Sequence, residues 1–362
     1  MRIAFISKYN NGYLQQLNNN KISFKSFNEG YYFQKNDFFY HYGTLAHYIE
    51  ENGHDAMLIV PNYEHLQGLW CKENNINQHT TGSLDIVKKQ LGKFDPDIVF
   101  LNSNFEYYSE IIPFSKNKGF KVVAWISCPM PKEIDIKNLD HIFTLFKPHH
   151  QLFLDLGIPS TLTHSGFDER IIESLDNKKI YPVTFIGGIG GFHTKRELFL
   201  RKIIKKIPLS IWGYGFKSQE KWKSILKQIK QRFTFNKAYK GEVWAKSMYQ
   251  VLNASQITIN AHGDIAEGHS VNMRLFEATG SGTLLLTEEN DQIKELFEPG
   301  KEVIVYNSPE DAIKKITYYL SHSKEAELIA KAGQLKTLEN YNYKSITKDY
   351  ISVFEKLLAN EK

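Results

Sequence analysis

Residues 183–203 read VTFIGGIGGFHTKRELFLRKI and place a strand, a glycine-rich turn and a helix in immediate succession. Residues 183–186 form a short run of apolar and β-branched residues, which is typical of a parallel strand buried on both faces. The glycines that follow permit a tight turn, and the residues beyond them have helical spacing. This stretch therefore predicts one strand–turn–helix unit of an α/β fold.

The same alternation of short apolar runs and helical stretches extends over the whole chain. Further strands are predicted at residues 3–6, 56–60, 98–101, 122–126, 141–145, 209–212, 257–260, 284–287 and 303–306. Helical patterns lie between them, for example at residues 38–52 and 84–91, and residues 343–358 predict a last helix. Two successive series of this kind predict an α/β fold of two Rossmann-like, doubly wound lobes facing a central cleft.

The boundary between the lobes is predicted near residues 158–179, where Gly157, Pro159 and Gly166 interrupt the pattern. We therefore expect an N-terminal lobe at residues 1–165, a C-terminal lobe at residues 166–342 and a final helix at residues 343–362. Ligands of such folds bind at the carboxyl ends of the strands.

The amino-acid composition limits the classes of protein to which this chain can belong. The chain has 362 residues, 42% hydrophobic and 23% charged, which is typical of a folded protein of two domains. A net charge of +5 is too small to indicate nucleic-acid binding. Cys71 and Cys128 have no zinc-ligand spacing, so a reducing, cytoplasmic compartment is expected. Neither a signal peptide nor an apolar run long enough to span a membrane is evident.

The densest motif is residues 262–277, HGDIAEGHSVNMRLFE, which follow a predicted strand and begin a helix. Ser270 is a candidate N-cap, and the free backbone N–H groups of a helix start suit a diphosphate. Arg274 can donate to phosphate oxygens, and Glu277 can accept from ribose hydroxyls. The alternative is that Arg274 and Glu277 form an i,i+3 ion pair on a surface helix.

The glycine-rich turn is a second candidate for binding phosphate. It contains Gly188 and Gly190 and leads to His193, Lys195 and Arg196. The turn lacks the third glycine of a dinucleotide fingerprint, and no acidic residue follows at the required distance. Lys195 or Arg196 is expected to neutralise phosphate, unless the segment is only a tight turn with solvated charges. After the next strand, Gly213 permits a close approach to a nucleobase.

In the first lobe, Asp37 and His41 are predicted on one face of a helix at i,i+4, where either group is placed to activate an acceptor hydroxyl. The alternative makes Asp37 a helix cap and His41 a polar residue of the core. His141, His149 and His150 are assigned structural roles, and no metal site is predicted. The basic stretch of residues 217–232 predicts an outer helix, with contact to a membrane or an anionic acceptor as the alternative.

Two segments of the second lobe carry a family resemblance: NMRLFEATGSGTLLLTEENDQIKELFEPGKEVIVY at residues 272–306, and YYLSHSKEAELIAKAGQ at residues 318–334. They resemble the C-terminal domain of CgeB-like glycosyltransferases, in the group-1 branch of GT-B enzymes. The likeness extends upstream to residues 241–260 and 183–203. In the first lobe FDPDIVFLNS, KVVAWISCPMP and residues 140–169 are similar in order and spacing.

The resemblance implies a role for several residues. Glu277 matches the acidic residue that holds the donor ribose, while Asn272 and Arg274, with the region of Ser270, match the donor-phosphate end. Group-1 transferases often carry two glutamates separated by seven residues, but His269 stands eight positions before Glu277. His269 is therefore the expected substitute for the first glutamate.

The function implied is transfer of a sugar from a nucleoside-diphosphate sugar to a hydroxyl-bearing glycan, lipid-linked or protein acceptor. The resemblance implies that the N-terminal lobe is on the acceptor side and that the C-terminal lobe binds the nucleotide sugar. Neither a metal nor a further cofactor is expected, and the resemblance favours retention of anomeric configuration. The candidate catalytic residues are His269, His41 and Asp37. Two alternatives stay open: a sugar-nucleotide epimerase of the same fold, and a non-catalytic sugar-nucleotide-binding protein of envelope or spore-coat assembly.

Overall fold

The computed structural model describes residues 1–131, 133–190, 193–216, 235–262 and 271–359. The chain divides into two compact units, Met1–Asp168 with Tyr343–Lys362, and Glu169–Asn342. The first boundary in the structure lies between residues 168 and 169, three residues after the boundary predicted from the sequence, between residues 165 and 166. The last helix, expected there as a separate segment, clusters with the first unit.

The first unit is built on a parallel sheet. Its strands are β1 Arg2–Ile6, β2 Asp55–Ile59, β3 Ile98–Leu101, β4 Lys121–Trp125, β5 His141–Thr144 and β6 Ser160–Leu162. Within the described residues the strand order is β2-β1-β3-β4-β5-β6, and every pairing is parallel. The helices between them are α1 Asn11–Asn19, α2 Phe27–Asn36, α3 Tyr42–Glu51, α4 Glu64–Glu73, α5 Ser83–Phe94, α6 Tyr108–Asn117 and α7 Lys147–Asp155, with a 3₁₀ turn at Phe105–Tyr107.

The second unit repeats this plan. Its strands are β7 Tyr181–Ile186, β8 Leu209–Trp212, β9 Tyr239–Gly241, β10 Ser255–Asn260, β11 Leu284–Glu288 and β12 Ile304–Tyr306. For the part of the chain described, they form a parallel sheet in the order β12-β11-β10-β7-β8-β9. The helices that can be described in this unit are α8 Thr194–Ile203, α9 Ala245–Asn253, α10 Met273–Gly280, α11 Asp291–Leu296, α12 Pro309–Ser321 and α13 Ser323–Asn340, with a 3₁₀ helix at Glu169–Ser174.

The last helix, α14 Tyr343–Ala359, packs on the first sheet. The ring of Tyr350 stacks on that of Phe143 with centroids 4.2 Å apart, and Phe354 meets Phe100 edge-on at 6.0 Å. All four side chains are buried. Helix α14 therefore completes the aromatic core of one face of this sheet, which buried aromatic side chains stabilise strongly.

Both sheets are buried on both faces, as the apolar runs predict. In β1, Ala4 and Ile6 join one core cluster, while Phe5 points to the other face and packs against Phe100 at 5.3 Å. In β7, Val183 and Phe185 lie in the core of the second unit. The predicted α/β fold of two doubly wound sheets is confirmed. The short strands β6 and β9, at the edges of their sheets, are additional to the predicted strands.

Candidate functional site

Two glycine loops lie side by side at the carboxyl edge of the second sheet, after β7 and β8. The backbone N–H of Gly187 donates to the carbonyl of Trp212 at 2.9 Å. A Cβ on Gly213, which has φ +143°, would lie 1.9 Å from the Gly187 oxygen, and one on Gly188 would lie 2.3 Å from the Tyr214 ring. Packing between the loops thus accounts for these two glycines, and their predicted approach to a donor stays a prediction.

Gly190 has φ +83°, and no atom of the described residues beyond its chain neighbours lies within 4 Å of the position of a Cβ, so its backbone conformation favours glycine there. The backbone N–H of His193 donates to the carbonyl of Gly190 at 3.1 Å. His193 is the N-cap residue of α8, without a side-chain cap bond, and Lys195 is exposed in the first turn. The helix predicted after this loop is therefore present, and it begins at Thr194.

Arg196 joins the loops of two different strands. Its Nε–H donates to the carbonyl of Ala261 at 2.7 Å, and Nη1 donates to that of Gly188 at 2.8 Å. Burial lowers the pKa of this guanidinium, which nevertheless stays charged because an arginine pKa is so high. Arg196 thus fixes the geometry of the loop edge, and its predicted contact with phosphate stays a prediction.

Arg274 and Glu277 lie on helix α10, which follows β10 along the chain. Nη1 of Arg274 is 2.8 Å from Oε2 of Glu277, and only 15% and 9% of the two side chains are exposed. The i,i+3 ion pair weighed as an alternative is therefore present, but it is buried rather than on the surface. Tyr249 of α9 donates a hydrogen bond to Glu277. Nε of Arg274 is buried without a hydrogen-bond partner among the described residues.

Burial and the neighbouring positive charge shift the pKa of Glu277 in opposite directions. Burial raises the pKa of this carboxyl, whereas the Arg274 guanidinium and the Tyr249 hydroxyl lower it, and the net shift is upward. Because an unpaired buried carboxylate is costly, Arg274 is the group that permits a charge at this position.

Helix α10 begins later than predicted. Its first residue is Met273 and its N-cap is Asn272, so the prediction of Ser270 at the N-cap is wrong. The Asn272 side chain is not bonded to the helix N–H groups, because it exchanges hydrogen bonds of 3.0 and 3.2 Å with Asn260 at the end of β10. His269 and Ser270 lie outside the described residues, and so do residues 217–232.

His262 and Glu288 form a pair that sequence reasoning did not single out. Nδ1 of His262 lies 2.9 Å from Oε2 of Glu288, and the His262 backbone N–H donates to the same oxygen at 3.2 Å. His262 is buried, while 39% of the Glu288 side chain is exposed. His262 lies two residues beyond the end of β10, and Glu288 is the last residue of β11. Because β10 and β11 are neighbours in the sheet, the strand order brings the two residues together, whereas their spacing in the sequence does not indicate it.

In the first unit, Asp37 is the centre of a buried hydrogen-bond cluster. Its Oδ2 accepts from the hydroxyls of Tyr9 and Tyr13 at 2.5 and 3.1 Å, and Oδ1 accepts from the Phe39 N–H at 2.8 Å. Burial raises the pKa of Asp37 from 3.8 to about 7, against the lowering effect of those hydrogen bonds. The carboxyl therefore titrates near neutral pH.

Asp37 and His41 do not share a helix face, so that prediction is wrong. Helix α2 ends at Asn36 and α3 begins at Tyr42, which leaves both residues in the connection between them. Phe38 and Tyr40 adopt left-handed φ values of 58° and 54° within it. Such values are costly for bulky residues, and the hydrogen bonds of Asp37 help to hold this turn.

His41 is surrounded by aromatic rings. Its ring lies 4.2 Å from Tyr42, 4.6 Å from Trp125 and 6.2 Å from Tyr343. Both ring nitrogens are buried without a hydrogen-bond partner in the described part of the chain. Burial lowers the pKa of His41 to about 3, so the ring is neutral at pH 7. These contacts favour the core role that was the alternative for His41.

Two other histidines of the first unit have hydroxyl partners on β6. His141 lies 2.9 Å from the Thr161 hydroxyl and His150 lies 3.1 Å from that of Ser160. Across the described ranges, no group of three or more His, Cys, Asp or Glu side chains is placed to hold a metal ion. Nor does any helix of those ranges have the length and apolar character needed to cross a bilayer.

Comparison with known proteins gives one sequence match and many structural ones. Residues 195–352 match a family model described as glycosyl transferase-like. A search of curated proteins found no match to the sequence. The structure is similar to a glycosyltransferase from Rickettsia africae ESF-5, at 12% identity with a TM-score of 0.61, covering 99% of each chain. The chain has the GT-B glycosyltransferase fold.

Two further solved structures are similar to this chain. Anabaena Alr3699/HepE, in complex with UDP-glucose, is 11% identical with a TM-score of 0.61, covering 98% of this chain and all of that one. A Listeria monocytogenes protein named for UDP-N-acetylglucosamine 2-epimerase is 10% identical with a TM-score of 0.55, covering 99% and 97%. At such identities the likeness shows the fold alone.

Proposed function

We propose that this chain is a glycosyltransferase that moves a sugar from a nucleoside-diphosphate sugar to a hydroxyl-bearing acceptor. Three observations support the proposal: the GT-B fold, the glycosyl transferase-like match over most of the second unit, and a nucleotide sugar bound by a protein of the same fold. The finer likeness to CgeB-like transferases, the hexosyl specificity and retention of configuration are part of the same proposal.

The observation that carries the proposal is the buried Arg274–Glu277 pair beside the start of α10. One Arg274 nitrogen is occupied by Glu277, while its buried Nε has no partner among the described residues. A buried donor without a partner costs free energy, which a phosphate oxygen would recover. Glu277 keeps acceptor capacity for ribose hydroxyls, since a carboxylate has about four lone-pair sites.

Catalysis in this scheme depends on stabilising the departing diphosphate. Fixed N–H groups at the start of α10, together with Arg274, would balance the charge that develops on the leaving oxygen. This role is taken by a divalent cation in other transferases, and the proposal assigns none here. In a retaining reaction the leaving phosphate takes the acceptor proton, so no strong side-chain base is required.

The test is a thermal-shift panel of UDP, GDP, dTDP and CMP sugars on the wild type, on Glu277→Ala and on Glu310→Ala. Glu310 is a control because it is an exposed glutamate of the same unit. A donor at about 100 times its Kd stabilises by roughly 2.7 kcal/mol, or roughly 3–4 °C for a chain of 362 residues. We expect that shift in the wild type and in Glu310→Ala, and a much smaller one in Glu277→Ala.

An equal shift in Glu277→Ala would remove the ribose assignment, and a panel with no shift at all would remove the proposed function. The products of the stabilising sugar separate the alternatives. Sugar transfer or slow release of free sugar indicates a transferase, an isomerised nucleotide sugar indicates an epimerase, and binding without turnover indicates a non-catalytic protein.

A further inference from the structure

Helix α10 differs from two other helices of the second unit in how its first turn is capped. The N-cap residues of α11 and α12, Asn290 and Ser308, accept hydrogen bonds from helix N–H groups through their side chains, at 2.9 and 3.1 Å. Asn272, the N-cap residue of α10, makes no such bond. Its backbone is extended, with φ −133° and ψ 168°, close to the −157° and 165° of Asn290, so backbone geometry does not explain the difference.

Asn260, the last residue of β10, holds the side chain of Asn272 instead. Nδ2 of Asn272 donates to Oδ1 of Asn260 at 3.0 Å, and Nδ2 of Asn260 donates to Oδ1 of Asn272 at 3.2 Å. The oxygen that would accept from the helix is therefore used in this reciprocal pair. Two hydrogen bonds between the amides outweigh the single bond of a cap, which accounts for the direction of the side chain.

Neighbouring groups hold Asn260 in this orientation. The residue is only 3% exposed, and its Nδ2 also lies 3.2 Å from the Thr287 hydroxyl and 3.4 Å from Nε2 of His262. Because the Glu288 carboxylate can only accept, Nδ1 of His262 donates to it, and Nε2 of the neutral ring is then an acceptor that faces the Asn260 amide. Asn260 is thus a fixed partner for the N-cap side chain.

The diverted side chain leaves the first turn of α10 without a side-chain cap. The N–H of Leu275 donates to the Asn272 carbonyl at 3.2 Å, whereas those of Met273 and Arg274 have no partner within the helix. Both of these residues are partly exposed, as contact with a ligand requires. In the same turn Nε of Arg274 is buried without a hydrogen-bond partner among the described residues. These are the donors that the proposed function assigns to the diphosphate.

We propose that Asn260 is a positioning residue of the donor site: it holds the Asn272 side chain away from the helix and so keeps the amides of α10 available to a diphosphate. A side-chain cap would compete with a phosphate oxygen for the same N–H groups. Asn260 itself touches no ligand in this scheme, and Asn272 acts through where its side chain lies rather than through contact. The inference rests on the proposed function, because it concerns the site that binds the donor.

The first experiment follows the backbone N–H of Arg274 by NMR in the full chain labelled with [15N]arginine, with inorganic pyrophosphate as the ligand. Arg274→Lys identifies the signal by removing it. We expect fast hydrogen exchange at this N–H in the wild type and slower exchange after pyrophosphate is added. In Asn260→Ala the released Asn272 side chain caps the helix, so exchange without ligand should be about fivefold slower than in the wild type.

The affinity for pyrophosphate, measured by titration calorimetry, gives the size of the effect. We expect about fivefold weaker binding in Asn260→Ala, because the ligand must displace a side-chain cap. In Asn260→Ala/Asn272→Ala no side chain can cap the helix, and affinity should return to within about twofold of the wild type. Thr258→Val is the matched control, since Thr258 is also buried in β10 but bonds to Thr184.

Equal affinity in the wild type and Asn260→Ala would overturn the inference, and so would a wild-type Arg274 N–H that does not respond to pyrophosphate. A double variant as weak as the single one would overturn it as well, because Asn272 would then act by direct contact. The same loss in Thr258→Val would show that any damage to β10 suffices. Should Asn260→Ala fail to fold, Asn260→Thr replaces it, because threonine keeps a hydroxyl but cannot form the two-bond amide pair.

The thermal-shift panel of nucleotide sugars separates this inference from the proposed function. A donor that stabilises the wild type and Asn260→Ala equally would overturn the positioning role of Asn260 and leave the transferase in place. If no nucleotide sugar stabilises the wild type while pyrophosphate binding still depends on Asn260, the transferase is removed. The positioning role would then stand for a site that binds another phosphate compound.

Discussion

Asp37 in the first unit and Glu277 in the second are buried to the same degree, with 6% and 7% of their surfaces exposed, but their surroundings differ. The partners of Asp37 are the neutral hydroxyls of Tyr9 and Tyr13 and one backbone N–H. The partner of Glu277 is the guanidinium of Arg274, aided by Tyr249. Burial raises the pKa of both carboxyls, and only one of them has a cation to oppose the rise.

This difference suits the two carboxyls to different tasks. Asp37 tolerates protonation, because its tyrosine partners can also act as acceptors, and it holds the strained turn between α2 and α3. At Glu277 the Arg274 guanidinium lowers the pKa of the carboxyl against the rise that burial causes. A charged pair can rearrange around a ligand that offers both phosphate and hydroxyl groups, and this is the basis of its proposed role in donor binding.

The largest effect is expected from Arg274→Met, which leaves the buried Glu277 without its cation. Removing one partner of a buried pair typically costs about 3–5 kcal/mol of unfolding free energy. Urea unfolding at pH 7 measures the loss, and the double variant Arg274→Met/Glu277→Leu should recover most of it. If the single variant is as stable as the wild type, the pair does not compensate the burial of Glu277.

A smaller, pH-dependent effect is expected at Asp37. Its folded-state pKa of about 7 lies above the ordinary 3.8, so the unfolded state loses this proton first as pH rises. Between about pH 4 and pH 7 the wild type should therefore lose stability relative to Asp37→Asn, by on the order of 3 kcal/mol in total. Above that window the difference should be constant.

Urea unfolding of the wild type and Asp37→Asn across this window measures the effect, with Asp155→Asn on the exposed face of α7 as the control. Of the groups that face Asp37, Tyr9, Tyr13 and Tyr63 all have raised pKa values and stay protonated over the window. A constant difference between wild type and Asp37→Asn throughout would show that Asp37 does not titrate there.

The smallest effect is expected from Tyr13→Phe. The substitution removes one hydroxyl donor from Asp37 and keeps the stacking of residue 13 on Phe39, whose ring is 4.4 Å away. We expect a loss of about 1 kcal/mol at pH 7 and a further rise in the pKa of Asp37. Thermal unfolding as a function of pH measures both, with Tyr318→Phe, at an exposed tyrosine, as the control.

Much of the fold was predictable because the central strands are buried on both faces and therefore contain almost only apolar residues. Residues 98–101 and 209–212 were predicted with the bounds that the structure shows. Strands β6 and β9 have three residues each, lie at sheet edges and lack an apolar run, so their sequences differ little from loops. The start of α3 was predicted too early, because the left-handed turn at Phe38 and Tyr40 has no glycine to mark it.

The site was less predictable, because sequence spacing identifies residues but not their partners. The pairing of Arg274 with Glu277 follows from i,i+3 spacing and was foreseen as an alternative. Arg196 joins two loops, and His262 pairs with Glu288, only because particular strands are neighbours in the sheet. The sequence does not give that strand order directly.

Helix α14 follows the second unit along the chain but belongs to the core of the first. The polypeptide therefore passes between the units twice, after Asp168 and after Asn342. During translation, residues 169–342 emerge complete while the first unit still lacks Tyr350 and Phe354, which reverses the usual order in which the N-terminal domain finishes folding first. The aromatic surface of the first unit that α14 covers therefore stays exposed on the nascent chain until residues 343–359 have left the ribosome.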